Sequence, residues 1–170
     1  MSCCPPTAFP ALASDASAIV GFTTKHNITS LYVAAPAAGT VVKVGLLALP
    51  DILGPDSGHT KQDADKLATL GYAVVLVDLA AGDYMTLEEV PARIKDWCTQ
   101  FSFEKVLSAA IQDALAYMQR EFRPESIVSY GYCWGGYVGA HQSTLADPVI
   151  KGNISFHPCC FPGSFSCGGE

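Results

Sequence analysis

The stretch Val128–Gly136, VSYGYCWGG, decides the fold. Residues 126–133 have the apolar composition of a buried strand, and residues 134–146 have the pattern of a helix. Between them, Gly131-Tyr132-Cys133-Trp134-Gly135 has the form of a nucleophile elbow, a sharp strand-to-helix turn that presents a nucleophile to a substrate. Cysteine stands here where most such turns carry serine. The sequence therefore predicts that the Cys133 thiol is a nucleophile at a strand-to-helix corner.

The predicted helix gives this thiol a favourable environment. A helix that begins at Trp134 directs its unpaired N–H groups and its positive dipole end at Cys133, which favours the reactive thiolate. The main-chain N–H of Trp134 can also stabilise the oxyanion that forms when a thiolate attacks an ester carbonyl. The alternative is that Cys133 is a small buried apolar residue between helix and sheet, and the flanking glycines would then have no evident purpose.

Outward from the elbow, buried apolar strands alternate with amphipathic helices. Strands are predicted at 18–22, 30–36, 41–51, 72–78, 126–133 and 149–158, and helices at 60–71, 86–101, 103–122 and 134–146. Pro91 is expected to bend or restart the second helix. The first two strands are typical of an antiparallel hairpin, and the remaining alternation indicates a mostly parallel sheet covered on both faces. We predict one α/β domain over residues 1–158 and an irregular tail over 159–170.

Composition and charge exclude several classes of function. The chain has 170 residues, and ten Lys and Arg against sixteen Asp and Glu give a net charge of −6. Without a basic run, neither nucleic acid nor an anionic membrane is an expected partner. Neither a signal peptide nor an apolar window of about 18 residues is evident. We therefore expect a soluble, cytoplasmic protein, and the sequence gives no indication of its oligomeric state.

The cysteines do not form a recognisable framework. Seven are present, at positions 3, 4, 98, 133, 159, 160 and 167. An odd number with two adjacent pairs fits neither a disulfide scaffold nor a zinc site, so most are expected to be free thiols. The adjacent pairs Cys3, Cys4, Cys159 and Cys160 could bind a metal together, but no ligand spacing supports it. The sequence therefore predicts no metal and no cofactor.

The motif GYCWGG, preceded by ALPDILGPDSGHTKQDADKLATLGYAVVLVDLAAGD, resembles the dienelactone hydrolase family of the α/β-hydrolase superfamily. The likeness extends from the N-terminus to about Pro158. It implies the three-layer α/β-hydrolase sandwich, and a triad of Cys, Asp and His that acts on lactones or small esters.

The same resemblance assigns roles in the loop after the strand at 41–51. In the family, an acidic residue ends this strand and is followed by Ile or a similar residue, by Phe or Leu, and by Gly; here these are Asp51, Ile52, Leu53 and Gly54. The resemblance implies that the Ile52 N–H is the second oxyanion donor and that Asp51 lies near the thiol. The alternative for Asp51 is a loop carboxylate that bonds its own turn.

The triad partners are harder to place. In α/β-hydrolases the acid and then the histidine follow the nucleophile, on loops after later strands. After Cys133 the candidates are His141, Asp147, His157 and Glu170. A rise of about 1.5 Å per residue puts His141 roughly 12 Å and Asp147 roughly 20 Å from the thiol along the helix, which excludes both.

Two other histidines are predicted at the correct edge of the sheet. His157 ends the last predicted strand, where the family has a His-Pro pair as a scaffold feature. His59 lies in the loop before the helix at 60–71, where a helix-start role is the simpler interpretation. Both are therefore candidates for the pocket.

After Pro158 the sequence CCFPGSFSCGGE has no strand or helix period and does not match the family's two remaining strands. We expect that the block carrying the acid and the base is missing, and that an apolar sheet edge is exposed, which favours aggregation. Loss of acid–base help worth about 10²- to 10⁴-fold would impair turnover. Three functions stay open: an impaired thiol hydrolase, a non-catalytic binding protein, and a redox-sensing thiol protein.

Overall fold

The computed structural model describes residues 20–145 and 149–158, which form a mixed sheet with helices on both faces. The strands of this described part are β1 (Phe22–His26), β2 (Thr29–Ala34), β3 (Val44–Leu49), β4 (Ala73–Val77), β5 (Ser126–Tyr132) and β6 (Ile150–Phe156). Its α-helices are α1 (Thr60–Thr69), α2 (Val90–Gln100), α3 (Ser108–Glu121) and α4 (Trp134–Ser143), and a π-helical turn (Phe103–Leu107) leads into α3.

The strand order across the sheet is β1-β2-β4-β3-β5-β6. Strands β4, β3, β5 and β6 run parallel to one another, whereas β1 and β2 form an antiparallel hairpin whose second strand pairs with β4. The predicted α/β class and the mostly parallel sheet are therefore confirmed. Because β3, β5 and β6 are neighbours, the loops that follow these three strands lie side by side at one edge of the sheet.

Two apolar clusters hold the layers together. The larger joins one face of the sheet to α2, α3 and α4, through residues such as Leu47, Ile111 and Trp134. The smaller joins the other face to α1, through residues such as Leu76 and Ala64. All five residues of β4, AVVLV, are buried, as expected for a central strand with helices on both sides.

The first strand is not where the sequence placed it. The prediction chose the apolar stretch 18–22, whereas β1 is Phe22–His26, and residues 18 and 19 lie outside the described part. The residues of β1, FTTKH, are mostly polar because it is an edge strand with exposed positions. His26 pairs with Thr29, so a two-residue turn closes the hairpin, and Asn27 supplies the positive φ of 51°.

The helix predicted from residue 86 begins instead at Val90, with Pro91 in its first turn. Proline is tolerated there because the first N–H groups of a helix have no intrahelical partner. Pro91 therefore neither bends nor restarts a helix that is already under way, because residues 86–89 are not part of α2 and the helix starts beside the proline.

At the opposite edge, β6 exposes apolar side chains. Ile154 is 53% and Phe156 46% exposed, and both border an open apolar groove of about 330 Å³ between α1 and the last two strands. On this face the helix cover is α1, which packs mainly on the β2–β4 side. Within the described residues no helix has the length and the apolar character needed to cross a bilayer.

Candidate active site

Cys133 occupies the corner between a strand and a helix. Strand β5 ends at Tyr132 and α4 begins at Trp134, so Cys133 is the single residue between them. Its φ of 51° and ψ of −115° lie in a region that non-glycine residues rarely adopt, and such strain is typical of functional sites. Only 5% of Cys133 is exposed, so its neighbours cover most of the residue.

Two glycines allow the elbow to pack. A Cβ atom on Gly135 would collide with the carbonyl oxygens of Leu49 and Pro50, and a Cβ on Gly131 would collide with the main chain of Gly135. The first turn of α4 therefore lies directly against the end of β3. Because close packing alone requires these glycines, they account for the geometry of the corner and not for its chemistry.

The loop after β3 is organised by Asp51. Its Oδ1 accepts hydrogen bonds from the N–H of Leu53 at 2.8 Å, the N–H of Gly54 at 3.1 Å, and the hydroxyl of Ser57 at 2.9 Å. Burial raises the pKa of the Asp51 carboxyl, and these bonds together with the charge of His157 offset part of that increase. Asp51 therefore bonds its own turn, as the alternative interpretation proposed.

The register of the sheet places this loop beside the elbow. Leu49 of β3 pairs with Gly131 of β5, so Asp51 and Cys133 each lie two residues beyond a paired position on neighbouring strands. Ile52 follows directly and is buried, and its carbonyl oxygen accepts the N–H of Met85 at 3.1 Å. The main-chain N–H groups of Ile52 and Trp134 thus come from two backbone segments that pack together.

The two histidine candidates, His59 and His157, lie in different surroundings. His59 is exposed, and it immediately precedes α1, where its carbonyl oxygen accepts the N–H of Asp63 at 2.8 Å. His157 follows β6 with a φ of 40°, and its charge lowers the pKa of Asp51. The structure therefore brings His157 towards the loop after β3, whereas the contact described for His59 is that of a helix start.

The remaining candidates lie elsewhere. His141 is half-buried on α4, with its ring centroid 4.3 Å from that of Phe103, which agrees with its exclusion as a base. Asp147 and Glu170 fall outside the described residues, as do the cysteines at 3, 4, 159, 160 and 167. Among the described residues, no group of three or more His, Cys, Asp or Glu could hold a metal ion.

Helix α2 packs against the elbow, a contact that the sequence does not predict. The Trp97 ring lies edge-on to that of Trp134, with centroids 4.6 Å apart, and its Nε1–H donates to the carbonyl oxygen of Asp83 at 2.6 Å. Its neighbour Cys98 is half-buried, and burial together with the charge of Cys133 raises its pKa to about 12. The apolar side of α2 is visible in the sequence, but nothing there shows that it packs on the elbow.

Known proteins similar to this chain include one family and two curated relatives. A profile of the dienelactone hydrolase family matches residues 30–166. The carboxymethylenebutenolidase homolog of Mus musculus is 27% identical over 142 residues, which cover 78% of this chain and 54% of that protein. An uncharacterised AIM2 family protein of Schizosaccharomyces pombe is 31% identical over 173 residues, which cover 96% of this chain and 66% of that protein. This chain thus spans about half to two thirds of these relatives.

The fold also matches a solved structure, that of a dienelactone hydrolase-like promiscuous phosphotriesterase from metagenomic libraries. The TM-score is 0.66 at 19% sequence identity, and the match covers 83% of this chain and 60% of the other. At this identity the similarity supports the fold alone.

Proposed function

Because this chain belongs to the dienelactone hydrolase family, we propose that it is a hydrolase of lactones or small esters with Cys133 as its nucleophile. The observation that carries the proposal is the backbone of Cys133, held at a φ of 51° between β5 and α4. A buried cysteine that served packing alone would have no need of this rare conformation.

In the first half of the proposed reaction, the Cys133 thiolate attacks the carbonyl carbon of the substrate. A bond forms between Sγ and carbon, and the π electrons of the carbonyl move to its oxygen. The N–H groups of Trp134 and Ile52 are assigned to this oxyanion, because the first N–H of a helix has no intrahelical acceptor and the Ile52 loop lies against the same helix start. Collapse of the intermediate expels the alcohol and leaves a thioester.

In the second half, water attacks the thioester and releases the acid. This step needs a group that removes a proton from water, and positioned general acid–base groups contribute about 10²- to 10⁴-fold. Among the described residues, His157 directly follows β6. We propose that acylation outpaces deacylation, because a thiolate is a stronger nucleophile than water.

The low exposure of Cys133 bears on the size of the substrate. Since Cys133 is 5% exposed, an acyl group with few atoms has the easier access. The family assignment supports small lactones and esters as the substrate class, and the mouse relative is named a carboxymethylenebutenolidase homolog.

The direct experiment is hydrolysis of p-nitrophenyl acetate by the wild-type chain and by Cys133→Ala. We expect release of p-nitrophenol that depends on Cys133, with a fast first phase and a slower second phase. Cys98→Ala is the matched control, since it removes a neighbouring half-buried thiol that has no assigned role in the chemistry. Equal release by Cys133→Ala and the wild type would refute the proposal.

A redox-sensing role is the second candidate, because two thiols, Cys98 and Cys133, lie near each other. The two thiols are close enough for the charge of Cys133 to raise the pKa of Cys98. This role predicts no ester turnover. It also predicts that dilute hydrogen peroxide blocks alkylation of Cys133 by iodoacetamide, and that a reductant restores it.

A further inference from the structure

Three chemically active residues follow three neighbouring strands. Asp51 comes two residues after β3, Cys133 directly after β5, and His157 directly after β6. Since the strand order is β3-β5-β6, Cys133 lies between the other two. Tyr132 pairs with Phe156, so Cys133 and His157 leave the sheet at the same level.

The distance between β3 and β6 bears on the position of the His157 imidazole relative to Asp51. Neighbouring strands are about 4.8 Å apart, so β3 and β6 are separated by roughly 10 Å. The imidazole of His157 nevertheless interacts electrostatically with the carboxyl group of Asp51. The His157 side chain is exposed, and Cys133 lies between the two residues in the strand order, so a ring turned towards Asp51 passes over the end of β5.

The backbone supports this arrangement. The N–H of Cys133 donates to the carbonyl oxygen of Phe156 at 3.0 Å, which fixes the elbow to the residue before His157. At His157 the φ of 40° turns the chain away from the strand direction. Positive φ is uncommon among non-glycine residues, and histidine is one of the residue types that adopt it most readily.

Resting on the proposed function above, we propose that His157 is the proton acceptor for the Cys133 thiol in this chain and that Asp51 positions its imidazole. The three loop bonds of Asp51 all use Oδ1, and the proposal assigns Oδ2 to the imidazolium. His157 thereby takes a role that the superfamily gives to a histidine on a later loop.

The proton balance of the proposed cycle closes with groups on this chain. The thiol proton moves to the imidazole as Sγ attacks the carbonyl carbon, and the imidazolium then gives that proton to the departing alkoxide. In deacylation the imidazole takes a proton from the attacking water, and it returns this proton to Sγ when the thioester bond breaks. Neither an oxidant nor a reductant is required.

The test compares acylation by p-nitrophenyl acetate in variants of the full chain. His157→Gly keeps the positive φ and leaves space for a free imidazole molecule, and His157→Asn tolerates the same backbone without supplying a base. His26→Gln is the matched control, because His26 lies on β1 at the far edge of the sheet. Circular dichroism establishes that each variant is folded.

We expect His157→Gly and His157→Asn to acylate about 10²-fold more slowly than the wild type, with the loss in kcat and not in KM. Added imidazole should restore the rate of His157→Gly, and it should not restore that of Cys133→Ala. A role of His157 in folding alone would not produce this rescue. Asp51→Asn should give a smaller loss, because it positions the base.

The two possible failures are distinguishable. If Cys133→Ala abolishes acylation while both His157 variants acylate at the wild-type rate, the role of His157 is refuted and the proposed function stands. If the wild type and Cys133→Ala release p-nitrophenol equally, the proposed function fails, and the role of His157 fails with it.

Discussion

Cys133 and Phe156 are joined by a main-chain hydrogen bond of 3.0 Å, from the N–H of the elbow residue to the carbonyl oxygen of the last residue of β6. The elbow is thereby fixed to the exposed edge strand of the sheet as well as to its own strand and helix. A second link runs nearby, from the Ser155 hydroxyl to the carbonyl oxygen of Gly136 at 2.9 Å. A change in the position of β6 should therefore alter the backbone position of Cys133.

The close packing of α4 on the end of β3 predicts that Gly135→Ala is destabilising. In a helix, alanine is ordinarily more stable than glycine by about 1 kcal/mol. Here, however, the alanine Cβ would collide with main-chain oxygens of Leu49 and Pro50, which cannot rotate away. We expect a net loss of about 1–3 kcal/mol in the free energy of unfolding, measured by urea denaturation.

Gly152→Ala is the matched control, since the nearest atoms to a Cβ at that position are 4.0 Å away. Its free energy of unfolding should remain close to that of the wild type. Equal stability of the Gly135 and Gly152 variants would show that the start of α4 does not pack on β3 as described.

The backbone at Cys133 predicts an unusual order of stability between two variants that both lack the thiol. At an ordinary position glycine is less stable than alanine by about 0.5–1 kcal/mol, because it loses more conformational entropy on folding. At a φ of 51° alanine is strained and glycine is not. We expect Cys133→Gly to be at least as stable as Cys133→Ala in urea denaturation, and the ordinary order would contradict the strained corner.

Burial of Asp51 predicts a dependence of stability on pH. Its pKa is raised in the folded state from the ordinary value of 3.8, so the folded protein binds a proton that the unfolded chain has released. The stability that this proton provides is fully present below pH 3.8 and is lost as the pH rises through the raised pKa.

The variant Asp51→Asn has no such titration. The free energy of unfolding of this variant should therefore rise relative to that of the wild type between about pH 4 and neutral pH. Urea denaturation over a pH series measures the difference. Asp56→Asn, at an exposed carboxylate of the same loop, is the matched control. A constant difference between Asp51→Asn and the wild type across the series would contradict the assignment.

The exposed edge predicts a gain in solubility on substitution. Ile154 is 53% exposed on β6, next to an apolar groove, and a lysine on an edge strand discourages pairing with other chains. We expect Ile154→Lys to reduce light scattering by concentrated protein without a large change in stability. Ile150→Lys, at a position only 1% exposed on the same strand, should instead prevent folding; equal behaviour of the two variants would contradict the described edge.

The sequence was informative wherever the structure depends on a regular period. Buried strands such as β4 and amphipathic helices such as α3 were found because their apolar positions repeat as the geometry requires. The polar edge strand β1 was misplaced, since one exposed side removes the apolar signal. Its position depends on pairing with β2, which short-range patterns do not encode.

In the candidate site too, the local features were predictable from the sequence and the long-range contacts were not. The corner at Cys133 was predictable because a strand, a glycine-flanked residue and a helix follow one another locally. The approach of His157 to Asp51 depends on the sheet order β3-β5-β6, and the contact of Trp97 with Trp134 depends on how α2 packs. Both are long-range relationships, so the sequence placed His157 at the right edge without showing its neighbour.

The nucleophilic role of Cys133 is tested most directly by mass spectrometry of the chain after brief exposure to p-nitrophenyl acetate, followed by digestion and assignment of the labelled residue. We predict one acetyl group per chain in the early phase, bound as a thioester to Cys133, and no such thioester at that position in Cys133→Ala. Acetylation that leaves Cys133 unmodified while p-nitrophenol is still released would contradict the proposed function.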